Sequence, residues 1–528
     1  MAIKRYKATA DNTITNAYKS DLRYRGTGSN MGAADSLEVF SIYGQQASGS
    51  VELSRILIKF PTADISTDRT NSVIPTSGNV DFILRMFNVE HASTVPKPHI
   101  LTVAAVTQSW EEGIGLDMEE YKDLSYGGVG SNWEYATSGS AWSYQGGTYR
   151  TDRSSSFHVR FEDGVGDLEV NISSLVEQWL NSTGNTLGSK PNYGLMIKLT
   201  GSHEGFSGSA PVHNATGSKR SYYTKKFSSR SSEYFFKRPV IEARWDDSKN
   251  DNRGSFYYSS SLAPELDNLN TIYLYNYVRG RLTDIPGLSA AANRKIRVSI
   301  FSGSADNSTP SGSGKSALAL AKDSQSPAGV VTALDKNVTG SRIATGIYSA
   351  SFVVTAAGTP LTKLYDVWHR GDGAGAHGHG AGVTQYLTGT IVPQTFKNYG
   401  YNPSPDYVTS VTNLKDVYKH EEKARFKLFI REKDWSPNIY SRATTALQGV
   451  PISGAYYKAY RAVDSLAVIE YGTGSSEHTR LSYDNTGSYF DLSMDLLEPG
   501  YMYAFKLIYK TPDGNYREQP EIFKFRVE

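Results

Sequence analysis

The sequence predicts an all-β chain built from several sandwiches, and three observations lead there. Apolar and polar residues alternate with period two in segment after segment. The residue choice favours strands and turns, with 36 tyrosines, 48 glycines and many serines and threonines in 528 residues. Only one segment carries a helical repeat instead.

Taken in order, Ser54–Phe60 (SRILIKF), Asp81–Val89 (DFILRMFNV), Tyr193–Leu199 (YGLMIKL) and Lys237–Trp245 (KRPVIEARW) read as strands bounded by turn residues. The helical repeat is Asn171–Ser182 (NISSLVEQWLNS). Ile172, Leu175, Val176, Trp179 and Leu180 fall at i, i+3, i+4, i+7 and i+8, one face of one short helix. Ser174 and Glu177 have the spacing of a capping box, and Trp179 lies on the stripe expected to be buried. A polar run, Asp246–Ser255, marks the first boundary. TIYLYNYV, KIRVSIF, GIYSASFVV, KLYDVWH and QYLTGTIV follow as a second set of strands over residues 255–392. Pro393–Val408 reads as a linker. ARFKLFIRE, AYYKAYRAV, SYFDLSM, YMYAFKLIYK and EIFKFRV form a third set over 409–528, with Thr511–Gly514 (TPDG) as the hairpin turn between the last two. Short strands with turn signals between them predict immunoglobulin-like sandwiches for the second and third sets.

A chain this long exceeds one hydrophobic core. Fifty-five Lys+Arg against 53 Asp+Glu leave a formal charge of +2, so no strong field points to nucleic acid or a membrane surface. Mean hydropathy is −0.43 and no apolar run approaches the ~20 residues of a spanning helix. The opening MAIKRYKATADNTIT has no apolar core of a secretory signal, so none is expected. Cysteine is absent, which excludes disulfides, thiolate metal sites and a cysteine nucleophile.

Residues 1–246 carry landmarks in a fixed order: Thr9–Asn16 (TADNTITN), Ser54–Ile65 (SRILIKFPTADI), Val106–Gly113 (VTQSWEEG), Asn132–Trp142 (NWEYATSGSAW), Val170–Asn181 (VNISSLVEQWLN) and Phe227–Trp245. Together they resemble the DNRLRE-type domain, a jelly-roll β-sandwich related in shape to carbohydrate-binding modules. The resemblance implies an N-terminal jelly roll of accessory or adhesive, non-catalytic use. The whole chain is similar in style to virion proteins of tailed bacteriophages: cysteine-free, near neutral, rich in Tyr, Ser and Gly. That likeness implies a non-enzymatic structural role in the virion, with other virion proteins and copies of the chain itself as partners, and no nucleic acid or membrane. Two further readings stand beside it: an adhesin for host or cell-surface glycans, and an accessory protein of a polysaccharide-acting enzyme.

The sequence offers few chemical sites. Ser311–Ala319 (SGSGKSALA) looks like a phosphate loop, but Thr309 stands where the first glycine is needed and no apolar strand leads in. Trp368–Gly382 (WHRGDGAGAHGHGAG) holds His377 and His379, which His369 or Asp372 could complete into a set that suits zinc or nickel in type, with Asp366 just upstream as the one carboxylate placed to support such ligands. Its glycines oppose a rigid site, so it is expected to be a loop between strands, with Trp368 in or near a core and contact with a neighbour as its use. Arg370-Gly371-Asp372 is read as chance. Glu111-Glu112 and Glu162-Asp163 are the acidic pairs available for glycoside hydrolysis, yet strand neighbours point to opposite faces. Lys419–Lys427 (KHEEKARFK) reads as a solvated strand edge. Gly254–Ser261 and Ala455–Ala462 carry tyrosines suited either to stacking on sugars or to a core. No catalytic residue, cofactor or metal is expected.

Overall fold

A computed structural model describes residues 2–19, 23–43, 51–90, 98–116, 129–204, 222–260, 263–288, 295–302, 317–318, 320, 337–354, 363–370, 384–394, 402, 404–434 and 449–528. The fold is all-β. The chain divides into two compact units: Met1–Asp247 with Gly472–His478 and Asp495–Pro499, and Ser248–Tyr471 with Thr479–Met494 and Gly500–Glu528.

The strands of the first unit are β1 (Ile3–Lys7), β2 (Ala10–Thr15), β3 (Ser36–Tyr43), β4 (Val51–Lys59), β5 (Asp81–Met86), β6 (His99–Ala105), β7 (Tyr135–Thr137), β8 (Ser140–Ala141), β9 (Ser156–Phe161), β10 (Leu168–Asn171), β11 (Leu195–Leu199), β12 (Tyr222–Ser228) and β13 (Val240–Arg244). They form a jelly-roll sandwich of a sheet β1-β13-β5-β10 and a larger sheet β12-β3-β4-β11-β6-β9, with β2 also paired to β4. Alternation sorts each strand's residues. Ile56 and Ile58 of β4, Leu101 and Val103 of β6 and Ile197 of β11 meet Phe82 and Leu84 of β5 and Ile241 of β13 in the main core. Leu57 of β4 and Met196 of β11 point the other way, into a second core. The larger sheet is thus buried on both faces, which is why LMIKL reads as nearly unbroken apolar sequence.

Among the described residues two α-helices interrupt these strands, not one: α1 (Thr62–Thr70) and α2 (Ser173–Leu180). The strand read as Ser54–Phe60 ends at Lys59, and Pro61 precedes α1. Its sequence, TADISTDRT, buries only Ile65, so no apolar stripe marks it. Arg69 of α1 holds Glu177 of α2 through two bonds of 2.7 and 3.1 Å. Glu177 is therefore no partner in a capping box, and Ser174 donates to Ser154 O instead. The orphan amide at the start of α2 is met by Asn171, whose Oδ1 accepts from Ser173 N at 2.9 Å. Leu175 and Val176 are fully buried, while Trp179 is only partly buried against the same core. Trp179→Ala is expected to lower stability by about 2 kcal/mol, less than the ~3–5 kcal/mol of a fully enclosed aromatic. Urea unfolding of the variant against wild type measures it, and a loss above 4 kcal/mol would place the indole deeper than the helix geometry does.

The second unit contains two immunoglobulin-like sandwiches. The first uses β14 (Asn270–Tyr275), β15 (Tyr277–Val278), β16 (Arg281–Leu282), β17 (Ile296–Ser302), β18 (Val338–Thr339), β19 (Ser341–Ala344), β20 (Ile347–Phe352), β21 (Leu364–Arg370) and β22 (Gln385–Ile391). Sheets β14-β20-β19 and β18-β17-β21-β22 enclose Ile272, Leu274, Val298, Ile300, Phe352 and Trp368. The other uses β23 (Tyr407–Val411), β24 (Val417–Tyr418), β25 (Lys423–Glu432), β26 (Ala455–Arg461), β27 (Ala467–Ile469), β28 (Ser482–Asp484), β29 (Gly487–Ser493), β30 (Met502–Lys510), β31 (Tyr516–Glu518) and β32 (Phe523–Val527). Its sheets are β23-β25-β29-β28 and β24-β32-β30-β26-β27, with β31 on β30. Aromatic rings fill the space between them: Phe426 lies 5.0 Å from Phe505 and Phe490 4.2 Å from Tyr457.

Several local expectations change here. The polar run Asp246–Ser255, read as the first boundary, holds the division between the units at Asp247/Ser248, and within it Asp251 and Arg253 are buried and Asn250 bridges Tyr483. The expected linker Pro393–Val408 already contains the first residues of β23 and the bridge from Gln394 to Tyr257. TPDG turns β30 into the short β31 before β32 returns, with Gly514 at φ +87° as the turn requires. Lys423–Lys427 opens β25, where the ladder runs to β29 alone; β23 pairs only with Leu428–Glu432.

Candidate functional site

The outer face of the larger sheet in the first unit gathers charged and aromatic side chains beneath loops. Arg55 shares a face of β4 with Leu53 and Leu57, a face that alternation aims away from the main core. Loops over 107–116 and 129–149 roof this face. Trp110, Trp133 and Trp142 pack beneath them on Ile14, Leu53 and Leu57. The roof is fastened by its own polar tips: Trp110 Nε1 donates to Tyr193 O at 2.7 Å and Trp142 Nε1 to Asn132 O at 2.8 Å.

Under that roof Arg55 is fully buried. Its guanidinium donates to Glu204 at 3.1 and 2.9 Å and to Gly146 O at 2.7 Å, and lies 5.0 Å from the Trp133 ring. Gly146 sits at φ +82°, and a Cβ there would press within 3 Å of Trp133 and Arg55, so only glycine lets the loop close. Lys198 of β11 reaches Glu204 at 2.9 Å. Burial pushes the Lys198 ammonium down to about 8, with Glu204 pulling the other way.

A second cluster joins Asp11 of β2 to Glu112 and Arg230. Arg230 grips Glu112 with two bonds of 2.7 and 2.6 Å, its backbone N–H donates to Asp11 Oδ2 at 2.6 Å, and Asp11 N donates to Glu112 Oε1 at 2.8 Å. Asp11 is fully buried and its Oδ1 has no hydrogen-bond partner among the described residues. Burial raises its carboxyl to about 6, against the pull of Arg230.

Above both clusters the loops expose rings. Tyr24, Tyr135 and Tyr144 are exposed, as are Ile114 and Leu116. The three tyrosine-bearing segments meet at one residue: Trp133 N donates to Thr27 O, Gly146 N donates to Trp133 O, and Tyr135 N donates to Asn132 Oδ1 next to Trp133.

The sequence candidates fare differently. Glu111 and Glu112 separate, Glu111 accepting weakly from Ser138 N at 3.4 Å while Glu112 takes Arg230. Glu162 pairs with Arg160 at the surface and Asp163 caps its own turn by accepting from Val165 N and Gly166 N. Neither pair flanks a common point. Of the glycine- and histidine-rich stretch, 371–382 lies outside the described residues, including Asp372, His377 and His379. Trp368 is fully buried in the core, and its Nε1 donates to Asp366 at 2.8 Å. Asp366 is buried against Arg253 at 2.6 Å, and His369 is buried facing Ser299 at 3.1 Å. Adjacent alternation therefore sends Asp366 and His369 to opposite sides, and among the described residues no three His, Asp or Glu side chains gather to hold a metal. Of Ser311–Ala319 only Ala317 and Leu318 are described; Leu318 N donates to Ile300 O. In Gly254–Ser261, Phe256 is core and Tyr257 is exposed; in Ala455–Ala462, Tyr456 and Tyr457 are both buried. In the second stretch Tyr460 stays half-buried beside them.

No family model matches the chain, and no curated protein matches it by sequence. Among solved structures, fibronectin(III)-like modules of Clostridium thermocellum CbhA align over 54% of this chain and 92% of theirs, at 10% identity and a TM-score of 0.14. Trypsin-activated alpha-2-macroglobulin from Escherichia coli aligns over 90% of this chain and 24% of its own, at 10% identity and a TM-score of 0.14. At these scores neither neighbour bears on function.

Proposed function

We propose that the chain is a non-enzymatic structural component of a tailed-phage virion, acting through contacts with other virion proteins and with copies of itself. One observation carries this reading. Buried and half-buried ion pairs of the first sandwich fasten distant segments to one another, loops to the larger sheet among them, while the loops so fastened expose apolar and aromatic side chains. Glu112, Glu204 and Glu177 each lock an arginine between distant segments. A rigid base beneath Tyr24, Tyr135 and Tyr144 suits a standing contact surface, because aromatic side chains give large contact area at low entropy. The sequence features named above, cysteine-free and near neutral, accord with a particle that leaves its host by lysis.

The same three rings favour a second reading, a binding face for glycans, since planar side chains stack on sugar rings. The two readings part experimentally. Mass spectrometry of purified particles is expected to find the chain at stoichiometric level. The triple variant Tyr24→Ser, Tyr135→Ser, Tyr144→Ser is expected to change the melting temperature little, as exposed substitutions do, and to reduce incorporation into particles. Binding to a glycan array that is lost in the same variant, with incorporation unchanged, would favour the adhesin instead.

A further inference from the structure

β12 carries two adjacent lysines with opposite fates. Lys226 faces outward and pairs with Glu38 at 2.6 Å. Lys225 faces inward and is almost completely buried. No carboxylate forms an ion pair with it among the described residues. Its Nζ lies 2.7 Å from Asn88 Oδ1 and donates also to Gly164 O and Gly166 O. The rings of Phe161 and Phe227 flank it at 5.1 and 5.5 Å.

Asn88 is held just as firmly. It follows β5, forms an antiparallel bridge with Phe227, and donates its backbone N–H to Asp167 Oδ1 at 2.7 Å. An amine and a carboxamide are thus fixed side by side between aromatic walls, with Asp163 and Asp167 near enough to act on the amine's charge.

We propose that Lys225 and Asn88 join in an intramolecular isopeptide bond. The neutral Lys225 amine attacks Asn88 Cγ, the bond from Cγ to the carboxamide nitrogen breaks, and that nitrogen leaves as ammonia. One proton passes from Lys225 Nζ to the leaving nitrogen, so amine and primary amide become secondary amide and ammonia with no oxidant or co-reactant. Asp167 is the proton carrier, as the carboxylate already bonded to Asn88. Three features favour the step. The reacting groups are pre-placed, which replaces a bimolecular encounter. The apolar walls limit competing water. Burial also lowers the Lys225 ammonium to about 8, with Asp167 and Asp163 opposing, so a neutral fraction exists near neutrality. The product would tie β12 of the larger sheet to the end of β5 of the smaller one, across 137 residues of chain. In a chain without cysteine it would supply the covalent restraint that a disulfide gives elsewhere. This inference does not depend on the virion role.

Intact-mass measurement of the full chain tests it. Wild type is expected to be lighter than its sequence by one ammonia, and Lys225→Arg and Asn88→Ala to show their full sequence masses. Tandem mass spectrometry of a digest is expected to find a branched peptide joining Lys225 to Asn88, a readout that needs no variant to fold. Asp167→Asn keeps an acceptor for Asn88 N–H and is expected to slow the reaction by about 100-fold. Wild type that stays at full mass after prolonged incubation at pH 8 overturns the proposal. So does an ammonia loss that persists in Lys225→Arg, which would mark a succinimide at an asparagine.

Discussion

Replacing Arg253 by leucine is expected to destabilise the second unit by about 3–5 kcal/mol, the usual effect of stranding buried charge. Arg253 donates to Asp366 at 2.6 Å, to Asp251 at 2.7 Å and to Tyr273 O at 2.6 Å. Asp366 is fully buried and Asp251 nearly so. Without the guanidinium, two carboxylates remain in a space with no other cation bonded to them among the described residues. Asp251 already shows the strain of burial, its carboxyl raised to about 6 even with Arg253 opposing. The variant's deficit should therefore shrink in acid, where the Asp251 carboxyl protonates. Arg253→Lys, a point charge without the fork, is expected to fall between leucine and wild type. Urea unfolding at pH 7 and pH 5 measures all of this. A leucine variant within 0.5 kcal/mol of wild type at pH 7 would mean the network is neutral in sum.

That network shows what was and was not legible beforehand. In LYDVW, alternation puts Asp366 on the side of Leu364 and Trp368, leaving the inward face ambiguous from sequence alone. The structure resolves it: Leu364 and Trp368 are core, and Asp366 is tolerated among them because Arg253, 113 residues earlier, reaches it. Nothing local to either residue announces that pairing. Arg253 itself sits in the polar run that reads as a boundary. The same holds for Arg55 with Glu204 and for Asp11 with Arg230, each joined across well over a hundred residues. Periodicity speaks about faces, so strands such as Val51–Lys59 and Met502–Lys510 were legible. Partners across the fold are a tertiary property. A usable signal does exist: a charged residue on an inward position of an alternating strand, as in SRILIKF, LMIKL and ADNTIT, calls for a distant counter-charge. Helix α1 stayed hidden for a different reason, because a polar, threonine-rich segment that buries one isoleucine has no helical period to read.

Asp11 gives the expectation with the sharpest dependence on pH. Its folded carboxyl stands at about 6 against an ordinary value of 3.8, and the first cause is burial, with Glu112 adding to it and Arg230 opposing. A raised folded value means that the protonated form is the one the fold prefers. This group's contribution is therefore complete below about pH 4 and is lost as pH rises through 6. The shift of about two units corresponds to roughly 3 kcal/mol between those limits. Asp11→Asn removes the charge and retains an oxygen for the Arg230 N–H, while Asp11 Oδ1 has no partner to lose. The variant is expected to gain up to about 3 kcal/mol over wild type at pH 8 and close to nothing below pH 4, with the difference opening between about pH 4 and 6. Asp11→Ala would lack the oxygen and should recover less, leaving the Arg230 N–H unmet at a cost of about 1–3 kcal/mol. Thermal and urea unfolding across that range read the curve directly. An Asn variant less stable than wild type at pH 8 would show that the attraction between Asp11 and Arg230 outweighs the desolvation of the carboxylate. The carboxyl would then titrate below its ordinary value, and Asp11 would belong with Glu112 as a fastener of the roof.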